Sequence, residues 1–110
     1  MSEDKLEKIF ELQQNLDKLV GFTEMSYQEK INNNFMALLH EWTELHDETN
    51  WKHWKKTKKS ESIVKKLEEY ADIIHFIVQR ALIDEFSAKD IFDAYIRKNE
   101  TNQYRVQNNY

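Results

Sequence analysis

Apolar residues recur at intervals of three and four along most of this chain, which is the period of an α-helix. Leu6, Ile9, Phe10, Leu12, Leu16, Leu19 and Val20 share one broad face of a first segment, about residues 3–20. Gly21 closes it, as the residue that most cheaply adopts a left-handed cap. Ser26 with Glu29 makes a capping-box pattern, opening a second helix that runs to about residue 48. Its inward-facing residues are Ile31, Phe35, Leu38, Leu39, Trp42 and Leu45. A third helix is predicted from Ser60 or Ser62 to about Phe86, its second half apolar nearly all round and so buried nearly all round. The fourth opens at Ser87, with Asp90 at the capping-box position, and continues to about Gln107. The pattern predicts an all-α, four-helix protomer.

Composition narrows the chemistry. With 110 residues, one domain spanning 1–110 is expected. Zero cysteine excludes disulfides, thiolate zinc sites and cysteine nucleophiles. A single glycine excludes phosphate-cradling loops, which need several. No apolar run approaches the roughly 18 residues of a membrane span, and the charged N-terminus lacks a signal-peptide core. A soluble, cytoplasmic protein is expected, with neither nucleic acid nor membrane as partner. Helices apolar on more than one side need a partner surface, so a homodimer or homotetramer is expected as well. The 20 acids outnumber the 16 lysines and arginines, for a net charge of −4. Against that balance, residues 49–59 read TNWKHWKKTKK, a basic and aromatic connection between helices two and three.

Several of the acids sit where solvating acids ordinarily do not. Glu41, Glu44 and Glu48 line one flank of the apolar stripe of helix two, at i, i+3 and i+7. On helix three, Glu69 and Asp72 share an axial stripe with Ile73 and Phe76, and no Lys or Arg occupies positions 67–79. An unpaired buried carboxylate costs several kcal/mol, so such groups need a cation or donors as partners. Two helices with acids at i, i+3 can project four carboxylates into the space between them. Oxygen ligands alone suit a hard cation, Mg²⁺ or Mn²⁺. Structural salt bridging is the alternative. A di-iron bundle is disfavoured because Glu-x-x-His does not occur in the chain.

The run Glu41-Trp-Thr-Glu44, then 24 residues, then Glu69-Tyr-Ala-Asp72 resembles the ExxE…ExxD signature of the MazG-like all-α nucleotide pyrophosphatases. Within that superfamily the chain is most similar to the dimeric dUTPases, through LQQNLD at 12–17, ETNWKHWKK at 48–56 and EEYADIIHFIV at 68–78. The ending AYIRKNETNQYRVQNNY resembles their A-Y-x-x-K-N-x-x-N-x-x-R pattern. The resemblance implies Mg²⁺-dependent hydrolysis of dUTP, and of dUDP, to dUMP with release of pyrophosphate or phosphate. It implies Glu41, Glu44, Glu69 and Asp72 as metal ligands, with one glutamate of the first pair, Glu41 being favoured, orienting or deprotonating the attacking water. Lys98, Asn102 and Arg105, on one face of helix four, would hold phosphates and sugar, although a solvated polar stripe has the same spacing. Gln13 is the match for an amide that reads uracil, and Trp54 for an aromatic that stacks on it, or else packs in the core. Asparagine is frequent in the family where this chain has Asp17, and a glycine usual near the end is replaced by Asn109. A pyrophosphatase with another base preference, such as dCTP, and a helical interaction module without catalysis are the other readings.

Overall fold

The computed structural model describes residues 3–108; Asn109 lies outside them. Among the described residues the chain is all-α: α1 (Lys5–Leu19), α2 (Tyr27–Asp47), α3 (Ile63–Ile83) and α4 (Ala88–Gln107), with a single 3₁₀ turn at Phe22–Glu24. Each helix begins where a short polar side chain satisfies the open N–H groups of the first turn. Asp4 accepts from the Glu7 amide and Ser62 from the Lys65 amide. Ser26 with Glu29, and Ser87 with Asp90, form reciprocal capping boxes. Gly21, at φ 74°, supplies the left-handed turn that ends α1, and Glu85 takes the same conformation (φ 63°) after α3.

Helices α2 and α3 run antiparallel and make the main packing unit. Cross-links between them fix the register: Asn34 bonds the Phe76 carbonyl at 2.8 Å, and Arg80 Nη1 reaches the Ile31 carbonyl at 3.4 Å. Helix α1 lies against α3. Helix α4 packs on α1 through its first turn, where Ala88 joins Phe10, Val78 and Ala81 in a small apolar core flanked by Leu6 and Leu82.

The core is narrower than the apolar pattern implies, and it selects a different face of each helix. On α1 the buried stripe is Phe10, Gln13 and Asp17, while Leu12, Leu16, Leu19 and Val20 face outward. On α2 only Asn34 is buried, and Phe35, Leu39 and Trp42 are exposed, Trp42 at 61%. On α3, Ile73 and Val78 are buried, yet Ile74 and Ile77 are not. Four helices drawn apart in this way give a Cα radius of gyration of 17.5 Å, against about 13 Å for a compact domain of this length. One chain has more apolar surface than its own helices can cover.

Candidate functional site

Glu41 on α2 faces Glu69 and Asp72 on α3, and each can place a carboxylate oxygen within 4.8 Å of the others. The antiparallel register brings them together: once Asn34 is pinned opposite Phe76, two further turns along α2 meet two turns back along α3. Oε2 of Glu41 and Oε2 of Glu69 are both buried without a hydrogen-bond partner. Two orphaned oxygens in one acidic pocket are an arrangement a folded chain does not keep without compensation. The Glu41 carboxyl is pushed up to about 7, chiefly by burial, then by the adjacent carboxyls of Glu44 and Glu69 and the charges of Glu44 and Asp72. Glu69 is raised too, again first by burial. The three carboxylates therefore repel one another, and either a shared proton or a divalent cation relieves that repulsion.

Oxygen-only donors of this count suit Mg²⁺ or Mn²⁺, and the unpartnered Oε2 atoms are the lone pairs a hard cation takes. The residues present fit such an ion. Glu44, the fourth acid expected there, is turned to His40, whose Nε2 lies 2.8 Å from its Oε1. It sits within electrostatic reach of Glu41 without joining the three-oxygen cluster.

Beside the acids lies a cavity of 410 Å³ bounded by Asp72, His75 and Phe76 of α3, Gln13 and Asp17 of α1, and the apolar side chains of Phe22 and Met25. Its polar wall is a directed chain of buried hydrogen bonds. Asn34, 1% exposed, donates from Nδ2 to the Phe76 carbonyl and to Gln79 Oε1, at 2.8 and 2.9 Å. Gln79 Nε2 and Gln13 Nε2 then both donate to Asp17 Oδ1, each at 2.9 Å. The Phe76 carbonyl can only accept, so it orients Asn34 and through it Gln79, while the Asp17 carboxylate, also an acceptor, orients Gln13. Asp17, 6% exposed, keeps its other oxygen without a protein donor among the described residues.

Gln13 lies in this cavity, which Asp72 also lines. Asp17 and Gln79 also line it, with Asn34 bonded behind Gln79; Asn34 and Gln79 were not singled out as site residues from the sequence. They leave one signal there: polar side chains on the inward stripe of a helix, as at 10, 13 and 17 of α1, where Phe10 marks the core. Trp54 is elsewhere. It is 63% exposed on the connection after α2, edge-on to Trp51 at 5.8 Å and to His53 at 5.2 Å, and it does not line the Gln13 cavity. Lys98, Asn102 and Arg105 are exposed on α4, which contributes nothing to that cavity either.

A dUTPase family model matches residues 5–84, a span that includes all four acids, Gln13, Asp17 and Trp54. The chain belongs to the dUTPase family. The match ends at the start of the α3–α4 turn, before Lys98, Asn102 and Arg105. Nothing matches the chain among curated proteins or among solved structures. At the level of the family, this is a nucleotide hydrolase of the all-helical kind. Among the described residues, no helix is long and apolar enough to cross a membrane.

Proposed function

We propose that this member of the dUTPase family hydrolyses dUTP, and dUDP, to dUMP with release of pyrophosphate or phosphate, using Mg²⁺. The observation that carries the reading is the pair of orphaned buried oxygens on Glu41 and Glu69, set against a cavity that Asp72 also lines. Glu41, Glu69 and Asp72 would hold the cation, joined by Glu44 when it leaves His40. Bound there, Mg²⁺ supplies charge neutralisation for phosphate oxygens and acidifies water. Glu41, whose Oε2 is buried without a partner, is the group that would orient or deprotonate the attacking water. Lys98, Asn102 and Arg105 would reach the phosphates and sugar from α4.

The hydrogen-bond pattern of the cavity wall supports uracil as the base. Gln13 Nε2 and Gln79 Nε2 each spend one hydrogen on Asp17 and keep a second. The wall therefore reads donor, acceptor, donor. Uracil presents acceptor, donor, acceptor from O2, N3–H and O4, and meets all three. Cytosine places a bare N3 against the carboxylate and an amino group against an amide donor. A mismatch of that kind leaves buried polar groups unpaired and discriminates strongly. Phe22 and Phe76 supply apolar walls for the ring.

The protein would act as a homodimer or homotetramer. On α3 the exposed Ile63, Leu67, Tyr70, Ile74 and Ile77 follow a 4-3-4-3 spacing, and on α2 Phe35, Leu39 and Trp42 follow 4-3. Those are the seams of helices that pack against helices. A panel of nucleoside tri- and diphosphates, assayed with Mg²⁺ and with EDTA, tests the function. Turnover of dUTP with Mg²⁺ alone is expected; no turnover of any nucleotide would overturn the reading.

A further inference from the structure

The connection between α2 and α3 is a constructed loop. Asn50 clamps its ends together, accepting from the Lys59 amide at 3.0 Å and donating to the Lys59 carbonyl at 2.8 Å. Lys59 Nζ bonds the Asp47 carbonyl and so secures the end of α2. Trp51 stacks on His46 at 5.1 Å and donates its indole N–H to Asp47 at 3.0 Å. The loop encloses a hollow of 560 Å³ whose lining holds five lysines and one carboxylate, Asp47. In a chain of net charge −4, this is a concentrated positive site. Lys55 and Lys56 line it with no ion pair or side-chain hydrogen bond among the described residues.

Its position gives it a role. Along the α2–α3 pair, the level of Gln79, which lines the cavity, and its partner Asn34 comes first, the Glu41–Glu69–Asp72 cluster second, and the lysine hollow third. From Asn34 to Glu41 is about 10.5 Å, and from Glu41 to Asp47 about 9 Å, at the helical rise of 1.5 Å per residue. A nucleotide with its base in the cavity and its α-phosphate at the acids extends its remaining phosphates toward the loop.

We infer that the lysine hollow of residues 49–59 is a binding site for a condensed phosphate group, namely the terminal phosphates of the nucleotide and the pyrophosphate they become. This rests on the hydrolytic reading above. In the reaction, the oxygen of water bonds to the α-phosphorus while the bond from that phosphorus to the α–β bridging oxygen breaks. The electron pair leaves on pyrophosphate, and the proton of the water passes to Glu41 and then to solvent. Negative charge therefore accumulates on the leaving group. Lysine ammonium groups, compact point charges on flexible stems, suit a ligand with phosphate oxygens on every side.

The test uses the intact protein and its Lys55→Ala/Lys56→Ala variant, both substitutions on exposed side chains. Inorganic pyrophosphate is titrated calorimetrically in EDTA, so that no cation bridges it to the acids. Binding to the native chain, weakened tenfold or more in the variant and by added salt, is expected. The variant should also raise KM for dUTP tenfold or more while leaving inhibition by dUMP, which lacks those phosphates, unchanged. Equal pyrophosphate affinity in both proteins overturns the inference even if dUTP is hydrolysed. Binding of single-stranded oligothymidylate at the loop with no binding of pyrophosphate overturns it as well. Pyrophosphate bound through the lysines with no nucleotide turnover sinks the hydrolytic reading alone. Inhibition by pyrophosphate that is competitive with dUTP identifies the phosphates of the substrate as the ligand; non-competitive inhibition identifies free condensed phosphate instead.

Discussion

Replacing Glu41 with glutamine should stabilise the cation-free protein at pH 8 and destroy its response to Mg²⁺. The Glu41 carboxyl ordinarily titrates near 4.5 and is lifted to about 7 in the fold, first by burial and then by Glu44, Glu69 and Asp72. A carboxyl whose folded pKa is raised holds its proton longer in the native state than in the unfolded one. Its contribution to stability is full below 4.5 and is lost as pH rises through about 7. At roughly 1.4 kcal/mol per pH unit, that interval sets an upper bound of about 3.5 kcal/mol, and partial wetting of the side chain lowers it to ~1–2 kcal/mol. Glutamine keeps the shape and removes the charge, so E41Q should gain that amount in EDTA at pH 8 and nothing at pH 4.5. At ~4 °C per kcal/mol for a chain of this size, the gain is about 4–8 °C in Tm. Native protein should recover the loss when Mg²⁺ is added, by about 2.7 kcal/mol at a hundred times Kd, and the variant should not. Circular dichroism melts at both pH values, with EDTA and with Mg²⁺, read all of these. If E41Q melts lower than the native chain at pH 8 in EDTA, the repulsion argued for the cluster does not exist.

Other consequences are open to equally direct checks. Asp17→Asn puts a donor in the middle of the cavity wall, so the ratio of kcat/KM for dUTP over dCTP should fall about 5- to 150-fold, as one mispaired buried hydrogen bond of ~1–3 kcal/mol implies. Ile74→Asp places a charge on the exposed seam of α3 and should convert the assembly to monomer in analytical ultracentrifugation; an unchanged sedimentation coefficient would remove α3 from the interface. Gly21→Ala meets no steric contact, since nothing lies within 4 Å of the added Cβ, yet φ 74° remains unfavourable. It should cost about 1 kcal/mol by urea denaturation. Ser87→Ala removes one side of the α4 capping box and should cost a similar amount in the same assay.

How far the sequence could be read follows from which interactions are local. Helix limits are decided within a few residues of each end, so Ser26, Ser62, Ser87 and Gly21 punctuate the chain where their own chemistry demands. The acids at i, i+3 on two helices were legible because helical period alone places them on one flank. The face that each helix buries was not legible. An apolar stripe such as Phe35, Leu39 and Trp42 looks the same in sequence whether it meets its own chain or another copy. Gln13, Asp17, Asn34 and Gln79 were hidden for the opposite reason: polar residues are read as exposed, and only the three-dimensional register reveals that each satisfies the next. Trp54 and Gln13 were linked by motif, and the antiparallel register sets them at different ends of the α2–α3 pair. Glu44 was grouped with Glu41 by spacing and by the ExxE motif, neither of which reveals that His40 one turn before it holds its carboxylate in the cation-free protein.

The central claim is that water attacks the α-phosphorus of dUTP beside Glu41, Glu69 and Asp72. Hydrolysis in ¹⁸O-enriched water with Mg²⁺, followed by mass spectrometry of both products, tests it most directly. The account predicts one ¹⁸O atom in dUMP and none in pyrophosphate, with turnover lost in the Glu69→Ala protein. Label in the pyrophosphate instead, or undiminished turnover by that variant, would contradict it.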